Sequence, residues 1–136
     1  MLITGEANDA SIELSEPEGL KLSGGSEFYR VTLRDNDFEV SRRVYAFDPT
    51  DNALSKFVFG LAADWKGWDG IRHWSSLEGE FELTCEHDGL GHVTTAATLR
   101  SNPYRHGWLG QIRFDIAAGN LSRIASDVES FFNTTA

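Results

Sequence analysis

Two stretches of this 136-residue chain place apolar residues at helical spacing, and nearly everything else alternates with a period of two. Leu54, Phe57, Val58, Leu61, Ala62 and Trp65 fall on one stripe, and so do Leu121, Ile124, Ala125, Val128, Phe131 and Phe132. Helices are therefore expected over about 51–66, capped by Thr50 or Asp51 and ended by Gly67, and over about 121–133, capped by Asn120. Gly60 sits inside the first helix at a cost of about 1 kcal/mol relative to alanine, which suggests a close neighbour.

The alternating runs read as strands separated by turn residues. Ile12 and Leu14, then Leu20 and Leu22, flank a turn at Glu16-Pro17-Glu18-Gly19, and Gly24-Gly25-Ser26 makes the next turn. Tyr29, Val31 and Leu33 form one inner face. Phe38, Val40, Val44 and Ala46 form another after Asp35-Asn36-Asp37, with Arg42 interrupting the apolar phase as a paired arginine, a strand end or a bulge. Phe81, Leu83 and Cys85, then Val93, Thr95, Ala97 and Leu99, then Trp108, Gly110, Ile112, Phe114 and Ile116 complete the set. Short strands with only two helices imply a single α+β domain over 1–136: a curved antiparallel sheet of six to eight strands with both helices on one side.

The net charge of −9 disfavours nucleic acid and anionic membranes, whose recognition needs clustered Lys and Arg. It fits a merely soluble protein or one with a basic protein partner. One cysteine cannot form an internal disulfide, there is no leader-like N-terminus, and no run approaches the roughly 20 apolar residues of a membrane span, so a cytoplasmic protein is expected.

The stretch from Asp64 to His92 holds three of the four tryptophans, three of the four histidines and the cysteine. His87 and His92 flank a tight turn and invite a metal site. The core argues against it. Placing Phe81, Leu83 and Cys85 opposite Ala97, Thr95 and Val93 makes Asp88-Gly89-Leu90 the turn, which sends His87 inward and His92 outward. Extending the pairing, with Leu99 opposite Trp108, sets His92 on the outer face between Glu86 and Asp115. No metal or cofactor is expected. Trp65 reads as core. Trp68 and Trp74 are either exposed aromatic anchors or covered by the crossover from helix to strand. Cys85 lacks a flanking base and reads as a small buried hydrophobe.

No phosphate-binding glycine loop, nucleophile elbow, Cys-x-x-Cys or His-Glu-x-x-His is present. Only Asp64, Asp69 and Asp88 near His73 and His87 could support acid–base chemistry. Trp65-Lys66-Gly67-Trp68-Asp69-Gly70, Trp74-Ser75-Ser76-Leu77-Glu78-Gly79 and His87-Asp88-Gly89-Leu90-Gly91-His92-Val93 together resemble a family of small bacterial proteins of unknown function, over about residues 38–132. That resemblance implies a single-domain cytosolic protein, with some relatives in toxin–immunity settings, and it transfers no catalytic residues.

The expectation is a non-enzymatic acidic protein, of the immunity type, masking a basic toxin domain. Glu80, Glu82 and Glu86 on an outer face, with Trp68, Trp74, His92 and Asp115, are the candidate binding residues. The alternatives are a ligand-binding or enzymatic domain, with a pocket between sheet and first helix reached by His73, His87 and Asp88, and an oligomerising structural module. The oligomeric state is not encoded in any pattern here.

Overall fold

The computed structural model describes residues 1–20, 26–46 and 53–133. Eight antiparallel strands and two α-helices follow the α+β expectation, and the strands divide into two four-stranded sheets, each a simple meander. The first sheet contains β1 (Leu2–Thr4), β2 (Ser11–Leu20), β3 (Ser26–Asp35) and β4 (Phe38–Tyr45). After α1 (Leu54–Ala63), β5 (Ile71–Ser75), β6 (Phe81–His87), β7 (His92–Arg100) and β8 (Leu109–Ala117) form the second. The chain ends on α2 (Leu121–Phe132).

In the first sheet, Ile12 pairs with Leu33 and Leu14 with Val31, so one face is continuously apolar. The turn expected at Glu16-Pro17 is instead a bulge within one continuous strand. The register shifts between Ser15 and Glu18, with Glu16 at φ +48, and the bulge accommodates a proline that cannot donate to a ladder. The expected turn at Gly24-Gly25 and the expected caps Thr50 and Asp51 lie outside the described residues. Arg42 sits in an unbroken ladder opposite Val31, so it is neither a strand end nor a bulge. Its guanidinium reaches the Ser101 carbonyl, 3.1 Å away at the end of the other sheet.

The second sheet keeps the expected faces but not the expected register. Phe81 pairs with Leu99, Leu83 with Ala97 and His87 with Val93, and Gly110, not Trp108, lies opposite Leu99. Each ladder is displaced by two residues, which preserves the inward faces because strand faces repeat every second residue. Trp108, expected on the last inner face, instead falls before β8 and is exposed. Between β6 and β7 the displacement comes from the turn. Gly89 and Gly91 both take positive φ (78° and 93°), so the three-residue loop is Gly89-Leu90-Gly91, closed by Asp88 N–H donating to the His92 carbonyl at 3.0 Å.

The helices pack against each other, and α2 also packs against β2. Tyr29 of β3 meets Phe131 and Phe132 edge-to-face. Two helix boundaries differ from expectation. Ala63 ends α1 before its stripe reaches Trp65, which is 47% exposed. A 3₁₀ turn over Ala118–Asn120 leads into α2, so Asn120 is already in a helical conformation and caps nothing with its side chain. Residues from both sheets and both helices form one continuous core. Among the described residues no helix is long and apolar enough to cross a membrane.

Where the sheets cross, Gly110 provides the clearance. A β-carbon there would lie 2.8 Å from Val40 Cγ1 and 3.0 Å from Phe38 Cζ. Gly60, by contrast, has nothing within 4 Å of its missing side chain, so the close neighbour suggested by the sequence is absent among the described residues. The two glycines should therefore respond oppositely to substitution. In urea unfolding, Gly110→Val is expected to cost about 1–3 kcal/mol through overpacking, and Gly60→Ala to stabilise by roughly 0.5–1 kcal/mol.

Candidate interaction face

Strand alternation sets the outward side chains of β5–β8 in rows across the second sheet. Ile71, Glu86, Thr94 and Asp115 make one row, and Ser75, Glu82, Thr98 and Gln111 another. The first row is exposed throughout, and Ile71 at its edge is 65% accessible. Thr94 donates to Asp115 at 2.9 Å, holding that carboxylate upright on the face. At the same end the hairpin tip presents Leu90, 82% exposed. Asp88 accepts from the backbone N–H groups of Leu90 (2.6 Å) and His92 (3.0 Å), which hold its carboxyl below the usual range.

His92 is outward, as expected, but its neighbours differ. Because the register is displaced, Glu86 and Asp115 both lie opposite Thr94, and His92 instead contacts Asp88 at 3.0 Å and Glu6 at 3.8 Å. Glu82 belongs to the second row and shares its carboxylate between His73 Nε2 (2.6 Å) and Arg100 Nη2 (3.2 Å). Burial opposes its ionisation, but the bonds from His73 and Arg100 outweigh burial and hold the carboxyl below its ordinary value.

Three candidate binding residues leave this face. Glu80 precedes β6 in the turn and is only 2% exposed. Its carboxylate accepts from the Ser76 hydroxyl and from the Tyr45 N–H of the first sheet, the latter at 3.4 Å. Its carbonyl still accepts from the Arg100 N–H at 2.9 Å, but Glu80 lies in the turn just before β6, where alternation no longer directs its side chain outward. Trp74 is 4% exposed and stacks edge-to-face on Phe81. Trp68 is half-buried, between the His87 ring and the Arg72 guanidinium. Both tryptophans are therefore covered rather than presented as anchors. Ile71 and Leu90 are the exposed apolar side chains beside the acidic row, and Trp65 is exposed just after α1. Parity placed Ile71 opposite Trp74, and paired left-handed glycines put Leu90 at a loop tip, so both signals were present in the sequence.

His87 is inward and fully engaged. Its Nε2–H donates to the Trp65 carbonyl at 2.9 Å, and its Nδ1 accepts from Gly89 N–H at 2.9 Å. The partners thus assign its tautomer. His73 points to the opposite face of the sheet and Asp88 is occupied at the turn, so the three groups do not converge on a pocket. Cys85 faces the core, where burial pushes its thiol up to about 11 despite a contact with the Thr95 hydroxyl. Among the described residues no group of three or more His, Cys, Asp or Glu is placed to hold a metal ion.

Comparison with known proteins gives one result of substance. The model of a family of unknown function, DUF6228, matches residues 3–135. No significant match appears among curated proteins or solved structures.

Replacing His87 by leucine leaves the Trp65 carbonyl and the Gly89 amide without a partner, and should cost roughly 1–3 kcal/mol per stranded group in urea unfolding. For Glu82 the sign follows from its lowered folded-state value. Its interactions contribute fully above the unfolded carboxyl's range and are lost as pH falls through the folded value. Carboxyl-detected NMR should show Glu82 titrating below the usual range and moving upward in Arg100→Ala.

Proposed function

We propose that this chain, which belongs to the DUF6228 family, is a non-enzymatic acidic binding protein that docks a basic protein partner on the outer face of its second sheet. The observation that carries the reading is the exposed row of Ile71, Glu86, Thr94 and Asp115 beside Glu6, Asp88 and Leu90: carboxylates flanked by two prominent aliphatic side chains. Fixed carboxylates steer a basic partner and set its register, and the aliphatic groups supply area that is dehydrated on contact. The net charge of −9 extends the same field beyond the contact.

The first sheet is the less suitable face, because arginines along it already pair with its own carboxylates. Arg34 bridges Glu13 at 2.8 Å and Glu39 at 3.2 Å, Arg30 meets Glu16 at 2.9 Å, and Arg43 pairs with Glu18. Masking a basic toxin domain in a bacterial cytoplasm, in the manner of an immunity protein, is the biological role that this chemistry suits.

The products of neighbouring genes provide the test. A basic product should bind the wild-type chain with an on-rate that falls steeply with salt. The double reversal Glu86→Lys with Asp115→Lys should weaken that binding at least tenfold, mainly through association. Capture of only neutral or acidic products, or indifference to the double reversal, would refute the proposal.

A further inference from the structure

At the far end of the same face, a groove of about 340 Å³ opens between the turn after β5 and the loop before β8. Leu77, Pro103 and Tyr104 form its walls, and Ser75, Glu82 and Arg100 its floor. Pro103 packs onto Gly79, which takes φ +79, so the wall on the loop side is seated on the turn.

The charge of this groove is unequal, with the carboxylates of Glu78 and Glu82 against the guanidinium of Arg100. Arg100, its cation, is committed to Glu82 at 3.2 Å and to the Gly79 carbonyl at 3.5 Å. The Ser75 hydroxyl spends its proton on the Ser76 carbonyl at 3.0 Å and can only accept. Each Glu82 oxygen receives one donor in the contacts above and has capacity for another. Glu78 adds an exposed carboxylate at the rim. The lining therefore offers two carboxylates against one guanidinium, which is already bonded to one of them, with an aromatic ring and two aliphatic surfaces beside them.

We infer that this groove receives an arginine side chain of the basic partner. This rests on the docking face proposed above and names the anchor residue it uses. A ligand here must be cationic, must donate several hydrogen bonds in a plane, and must carry an apolar stem. A guanidinium on three methylenes meets all three conditions, and Tyr104 provides a face for it to stack on. An anion would face the Glu82 and Glu78 carboxylates, and an ammonium offers a point charge rather than a fork. From Glu82 to Glu86 along β6 is roughly 13 Å, at about 3.3 Å per residue, so one partner can occupy the groove and the acidic row together.

The test uses the full chain and N-acetyl-arginine amide as the probe, followed by amide NMR. The expected result is saturable shifts confined to the groove, with half-saturation at roughly millimolar probe, as suits a ligand of this size. Glu78→Gln and Tyr104→Ala alter exposed side chains and should each weaken binding about threefold or more without disturbing the rest of the spectrum. The citrulline amide, equal in shape but uncharged, should not bind, and the lysine amide should bind several-fold more weakly. The inference is overturned if citrulline or lysine binds as well as arginine. It is equally overturned if the shifts fall on the Glu86–Asp115 row, or if both variants bind normally. Glu86→Lys with Asp115→Lys, which cripples the proposed docking face, should retain the arginine amide, so the two readings fail separately.

Discussion

One imidazole decides how the second half of the chain is wound. His87 closes β6, yet its ring is bonded to the carbonyl of Trp65 just after α1 and to the amide of Gly89 in the following hairpin. Trp68 packs against it in an edge-to-face arrangement, and Gly67, at φ +144, passes close enough that a β-carbon there would lie 3.6 Å from the ring. Helix end, crossover and hairpin are thus held by a single side chain whose two nitrogens have different jobs. The cluster of Trp, Gly and His that resembles a reaction centre in the sequence is the structural joint of the fold.

Buried polar groups do similar work between the two sheets. Glu80 and Arg42 come from opposite sheets, and each spends hydrogen bonds on the other sheet's backbone. Tyr29 lies in the same core, where burial and, secondarily, the Glu80 charge push its phenol far above its ordinary range. Such groups fix orientation more than they add net stability, because dehydrating them offsets much of the gain. They leave the two outer faces electrically unequal: one laced with arginine–carboxylate pairs, the other acidic at one end and acceptor-lined at the other.

The inward faces could be read from sequence because alternation alone specifies them. Phe81, Leu83, Cys85, His87, Val93, Ala97 and Ile112 are all buried as their parity required. Absolute register could not be read this way, since a shift of two residues leaves every face unchanged. Between β6 and β7 it was decided by backbone conformations at Gly89 and Gly91 and by the Asp88 carboxylate. Trp65 shows the limit of periodicity, which does not say where a helix stops, and Glu80 the limit of alternation outside a ladder. The division into two sheets had no local signature, because it depends on which distant strands share a core. In the site, the acidic row followed from parity, whereas the groove is made by a turn and a loop that meet only in three dimensions.

The amide of Glu6 donates to the carbonyl of Asp115 at 3.0 Å, and Gly5 beside it has no room for a side chain against Phe114. The exposed border of β8 is thereby closed by a segment more than a hundred positions earlier in the chain. During synthesis the neighbouring β1 can pair with β2 early, but the Glu6 amide must wait until β8 has been made. The last border to be protected is therefore the one adjoining the acidic row, and loop-closure entropy makes that joining slow. A chain halted before β8 keeps β1 paired with β2 but leaves the Glu6 amide without the Asp115 carbonyl, and β7 without its partner on that side.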